Sequence, residues 1–199
     1  MTSSEKDKST RPQRPKDVNK ILRKSVSLLA EELGEFRNTS FSRILFIFKP
    51  GMTEFRARIL PMKFNDTCLS ISSDGKRVRP SVRIDGRGIL YIIEYGNAFL
   101  KSTREKKLRT LIHELLHCSP FFNGTLSRSH RHENFGASRY SKTVNRIADS
   151  ISKPVGTRLL ELLSLNGDIE VQTWKSPFSL SKFSRRTEED LRKIIISND

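Results

Sequence analysis

Cysteine is nearly missing from this chain. Cys68 and Cys118 are the only two among 199 residues, far apart and in no metal-binding spacing. A disulfide framework is thereby excluded, and the usage fits a reducing compartment. Long apolar runs are missing as well: no stretch approaches the roughly eighteen residues that a membrane span requires. Met1 to Lys20 is polar and charged, without the apolar segment of a secretory signal. These absences predict a cytoplasmic protein with no membrane partner. Neither an internal repeat nor a glycine-rich phosphate loop is present, which argues against a solenoid and a P-loop nucleotide site. Acidic residues are outnumbered, 22 against 37 Lys and Arg, for a formal net charge of +15. Such a balance favours polyanions, nucleic acid ahead of an anionic membrane surface. A plain Lys/Arg-rich soluble surface has the same composition, so charge alone identifies no partner.

Apolar residues supply only 35% of the chain and charged residues 30%, so part of the length is expected outside the core. Residues 1–16 combine Lys, Arg, Ser, Thr and proline without periodicity and are expected to form a disordered basic tail. From Asp17, an N-cap candidate, Val18, Leu22, Val26, Leu29, Leu33 and Phe36 recur at helical spacing, with Gly34 near the end. Arg43 to Lys49 reads as a buried strand closed by Pro50-Gly51, and Phe55 to Leu60 alternates like a strand with one face in water. Leu69 to Ser72 and Val78 to Ile84 flank Ser73-Asp74-Gly75 as a hairpin, with Pro80 favouring an edge. Ile89 to Tyr95 is the strongest strand pattern. A helix is predicted from about Ser102 to Cys118, ended by Pro120, with the basic run Lys101 to Arg109 as its wet face. Further helices are predicted through Phe135 to Ile151 and Val155 to Leu165, then a strand over Asp168 to Trp174 and a capped terminal helix over Thr187 to Ile196. The reading is an α+β domain over 17–153, with 154–199 an extension packed on it.

Histidine is scarce too, yet all four residues fall within one stretch of twenty. Two of them form His113-Glu114-Leu115-Leu116-His117, an H-E-x-x-H pattern on a predicted helix. Positions i and i+4 share a helix face, so two imidazoles can hold one Zn2+ while the glutamate lies beside a metal-bound water. Catalytic zinc takes three protein ligands and leaves a fourth position open. The third is expected from the downstream segment, His130 first, His132 as the alternative and Glu133 after them. Zinc lowers the pKa of its water to about 7, so Glu114 can act as base toward that water and then return the proton to a leaving amine. Tyr140, the unused downstream histidine, Arg128 and Arg139 are candidates to stabilise the oxyanion. Ile89 to Tyr95 is either an exposed edge that receives an extended substrate or a buried central strand. Cys118 sits about 100° around the helix from His117 and reads as a small buried residue.

Leu111-Ile112-His113-Glu114-Leu115-Leu116-His117, followed by Gly124-Thr125-Leu126 and Arg128-Ser129-His130, resembles the zincin-like metallopeptidases of phages and archaea that are similar to SprT-like proteins. The resemblance spans roughly Asp17 to Ser152. It implies an N-terminal helix, a small mostly antiparallel sheet, the H-E-x-x-H helix and a following helix led by the third ligand. In that family a histidine ligand precedes an aromatic by four residues. Phe135 stands five after His130 and three after His132, leaving both open. The resemblance implies zinc-dependent hydrolysis of a protein or peptide substrate, and some SprT-like proteases cleave proteins crosslinked to DNA. A zinc-stabilised nucleic-acid-binding protein without catalysis is the alternative.

Overall fold

The computed structural model describes residues 14–53, 56–63, 70–71, 77–78, 81–129, 132–177 and 185–197, with only the backbone described at 70–71, 77–78 and 132–137. Most of the expected basic tail therefore lies outside the described residues. Lys16 does not belong to that tail, because Lys16–Asp17 pairs in parallel with Ile169–Glu170. Helix α1, Val18–Glu32, begins where the Asp17 carboxylate accepts the Lys20 N–H at 3.0 Å, satisfying a donor the first helical turn leaves open. Its apolar stripe of Val18, Leu22, Val26 and Leu29 is buried, and the helix closes where extended Leu33 donates to Leu29 O.

Among the strands that follow, the longer ones are β1 Ile44–Phe48, β2 Ala57–Pro61, β3 Ser81–Ile84 and β4 Tyr91–Tyr95. In the principal sheet β4 is central, parallel to β1 and antiparallel to β2. This is a mixed sheet rather than the mostly antiparallel one expected. The long connection from β1 to β4 allows the parallel return. Every residue of β1 and β4 is buried because both faces are covered. Ile44, Phe46 and Phe48, with Tyr91, Ile93 and Tyr95, face the helices. Leu45, Ile47 and Ile92 face a second cluster with Val82, Ile84, Trp174 and Leu191. Side chains alternate along a strand, so an apolar run without polar breaks belongs to a sheet buried on both faces. Ile89 to Tyr95 is accordingly central, and its use as a substrate-receiving edge is ruled out. The expected hairpin is present as the pairing of Ser70–Ile71 with Arg77–Val78. The run Val78 to Ile84 is divided between that pair and β3, with Pro80 outside the described residues.

Helices α2 (Arg104–Leu116), α3 (His132–Asp149) and α4 (Lys153–Leu162) pack on the sheet face that also carries α1, and β5, Ile169–Trp174, follows. Leu159, Leu163, Leu165, Ile169 and Val171 share one core cluster with α1 and α2. The terminal helix expected over Thr187 to Ile196 is instead a strand, β6 Leu191–Ile196, antiparallel to β5 through six residue pairs. Thr187 does form the capping box with Asp190, but it caps only a single 3-10 turn, Glu188–Asp190. Beyond that turn the three consecutive β-branched residues Ile194, Ile195 and Ile196 favour the ladder offered by β5. Helices and small mixed sheets together make an α+β arrangement. Among the described residues no helix is long and apolar enough to cross a membrane.

Candidate metal centre

Helix α2 starts at Thr103, whose hydroxyl accepts the Lys106 N–H at 3.3 Å. Leu108, Leu111, Ile112 and Leu115 bury one face, which turns a second face, Lys106, Arg109, Thr110 and His113, toward a cleft of about 580 Å³. His117 is the C-cap residue, still in helical backbone conformation, so the four-residue spacing keeps both imidazoles on one side. Their Nε2 atoms lie 3.3 Å apart, with the rings 78° from parallel. Two zinc–nitrogen bonds of about 2.05 Å at a tetrahedral angle span a chord of about 3.3 Å. The two nitrogens thus stand at the separation one tetrahedral cation needs, and imidazole nitrogen is a donor that suits Zn2+.

Tyr140, from α3, is 1% exposed. It stacks on His117 at 13° and meets His113 edge-on at 4.6 Å between centroids. Its hydroxyl donates to His113 O at 2.9 Å and lies 3.4 Å from His117 Nε2. The phenol therefore clamps both ligand-bearing residues, and burial raises its pKa further above the ordinary tyrosine value.

Glu114 lines the cleft wall next to His113 and is 4% exposed. Burial pushes its carboxyl up to about 8, a shift opposed by a hydrogen bond from the Ile59 backbone N–H. That bond fixes the orientation of β2. Met62 N donates to Leu90 O and Gly96 N to Arg56 O, so even-numbered residues of this segment bond toward β4. Ala57, Ile59 and Pro61 therefore turn their backbone groups outward. Pro61, which has no N–H, is tolerated because it occupies an outward position. The approach at Gly96 is close enough that a Cβ there would lie 2.7 Å from Met52 O.

After α2 the chain doubles back on itself. Ser119 N donates to Thr125 O at 3.0 Å and Ser127 N to His117 O at 2.8 Å. The Tyr91 hydroxyl staples this return, donating to Thr125 O and accepting the N–H groups of Ser119 and Gly124. Gly124 has φ +93°, and a Cβ would come within 3.1 Å of the Leu90 side chain, so the turn requires glycine. Ser127 is thereby brought back beside His117, three residues before His130.

His130 itself lies outside the described residues. His132 opens α3, but its side chain and that of Glu133 are not described. Among the described residues no three His, Cys, Asp or Glu side chains converge on one point, so only the His113–His117 pair of the expected ligand set is brought together there. Arg128 and Arg139 are exposed and do not line the cleft. Cys118 is buried, and burial raises its thiol pKa. The basic run was expected to be uniformly wet; instead Lys107 is buried, while Lys106 and Arg109 line the cleft. Their shared face with His113, at i, i+3 and i+7, is a pattern the sequence already carries. Thr53, Arg56, Ser141 and Asn145 complete the lining from other elements, without a local signal. Comparison with protein-family models, with curated proteins and with solved structures yields no match to this chain.

Proposed function

We propose that this chain is a zinc-dependent metallopeptidase of zincin-like, SprT-like type. The observation that carries the reading is the 3.3 Å separation of His113 Nε2 and His117 Nε2 beside a buried Glu114 at a cleft. His113 and His117 would hold the cation, joined by His130 or His132. When bound, Zn2+ supplies a Lewis acid that polarises a carbonyl and acidifies water.

Glu114 does the proton work. Its carboxylate takes a proton from the attacking water, and burial, which favours the neutral acid, keeps that proton available for the departing amine. Ala57 and Ile59 offer outward backbone groups to an extended peptide lying along β2, a docking mode that uses main-chain hydrogen bonds. The Ile59 N–H bonded to Glu114 would serve either the carboxylate or a substrate carbonyl. Tyr140 orients His113 and His117 and stands close enough to His117 Nε2 to support charge developing there. The +15 charge supports a working place near nucleic acid.

The test is the Glu114→Gln variant assayed on a denatured protein with zinc supplied. Retained zinc with cleavage reduced by about a hundredfold or more supports the assigned base. Unchanged cleavage refutes it.

A further inference from the structure

The cleft beside His113 and Glu114 is lined by three cations, Arg56, Lys106 and Arg109, and its only described carboxylate is Glu114. All three cations are exposed at the rim while Glu114 is sunk in the wall. Some cations elsewhere are paired: Glu94 receives both Arg58 and Lys49, Asp190 receives Arg186, and Glu170 receives Lys193. Among the described residues no carboxylate pairs with Arg56, Lys106 or Arg109. The three come from two elements, the entry to β2 and α2, so no single amphipathic helix accounts for them. They converge because the sheet edge and the motif helix form the two walls of one cleft.

We infer that this cleft selects polypeptide segments carrying Asp or Glu within about three residues of the bond at the histidines. The inference deepens the peptidase reading and rests on it. The length scale follows from geometry. Lys106 is seven residues from His113, about 10.5 Å along the helix axis, and an extended peptide advances about 3.3 Å per residue. Arg109, four residues from His113, reaches a position about two residues from the bond. The outward edge of β2 supplies main-chain partners that a peptide has and a nucleic-acid strand lacks, which favours acidic polypeptide over phosphate backbone as the occupant.

The test uses the full-length Glu114→Gln protein loaded with zinc, so that binding is read without turnover. Fluorescence anisotropy compares labelled peptides identical except for Glu or Lys at positions two and three on either side of the centre. The Glu peptide is expected to bind about tenfold more tightly at low salt. Adding Arg56→Glu, Lys106→Glu and Arg109→Glu should abolish or reverse that preference. A control carrying Arg37→Glu, Lys153→Glu and Arg158→Glu makes the same change in net charge outside the cleft and should preserve it. Equal binding of the two peptides overturns the inference, as does equal loss in control and cleft variants. So does a single-stranded oligonucleotide that displaces the Glu peptide, binds more tightly and depends on the same three cations. The peptidase reading is judged separately with Glu114 intact. Cleavage without charge preference sinks the inference alone, whereas charge-selective binding with no cleavage of any peptide sinks the peptidase reading alone.

Discussion

Glu114 shows how one residue trades stability for chemistry. An ordinary glutamate ionises near 4.5, while burial lifts this one to about 8. Below pH 4.5 the carboxyl is protonated whether the chain is folded or not, and its burial carries no penalty of ionisation. Above that pH the unfolded chain releases the proton first, so stability drains away until the folded carboxyl also ionises, near pH 8. In metal-free protein the Glu114→Gln variant should therefore be the more stable by about 4 kcal/mol at pH 8 and nearly equal to wild type at pH 4. Urea melts at the two pH values measure this, and parallel pH dependence in the two proteins would refute the burial argument. Tyr140 makes a different residue-scale prediction. Tyr140→Phe keeps the ring stacked on His117 but removes the bond to His113 O. Zinc affinity should fall about tenfold, as when other ligand-orienting partners are lost. An unchanged dissociation constant in a zinc competition titration would leave the phenol a packing group only.

At the scale of elements, the return between α2 and α3 hangs on one phenol oxygen. Tyr91→Phe strands the Gly124 N–H and leaves Ser119 N and Thr125 O only their bond to each other. It should cost about 1–2 kcal/mol and raise amide hydrogen exchange at Gly124 selectively; uniform exchange across the chain would show that the staple is not local. This device was illegible in the sequence, where Tyr91 reads as one more residue of an apolar strand and its partner groups are backbone atoms some thirty positions away. Elements governed by local physics were legible. Asp17 capping α1, the apolar stripes of α1 and α2, and the burial of β1 all follow from spacing and side-chain type, whereas the apolar run of β4 left an edge and a central strand both open until its pairing with β1 and β2 decided it. The terminal strand β6 was not, because Thr187 and Asp190 spell a genuine cap whose helix is overridden by pairing with β5. Of the site, the α2 residues were written in the motif and its helical periodicity. Arg56 was not, since its place in the cleft depends on the β2–β4 register.

For the molecule as a whole, the sheet separates two apolar clusters, and the His113–His117 pair lies on the helical side, where α2 and α3 meet. A cation that binds the folded chain and not the unfolded one stabilises by mass action, by about 4 kcal/mol at a thousandfold excess over its dissociation constant. Chelation should therefore lower the melting temperature, and zinc should restore it. Because His113 and His117, the proposed ligands, sit between helices that share the main core, the whole transition should shift rather than a separate early step. An early partial transition on chelation would mean that the site is peripheral to the fold. The account turns on His113 and His117 gripping a single ion, and a calorimetric zinc titration of the wild type against His113→Ala/His117→Ala tests it most directly. The account predicts one zinc per wild-type chain and at least a hundredfold weaker binding in the double variant; one equivalent bound by that variant with undiminished affinity would contradict it.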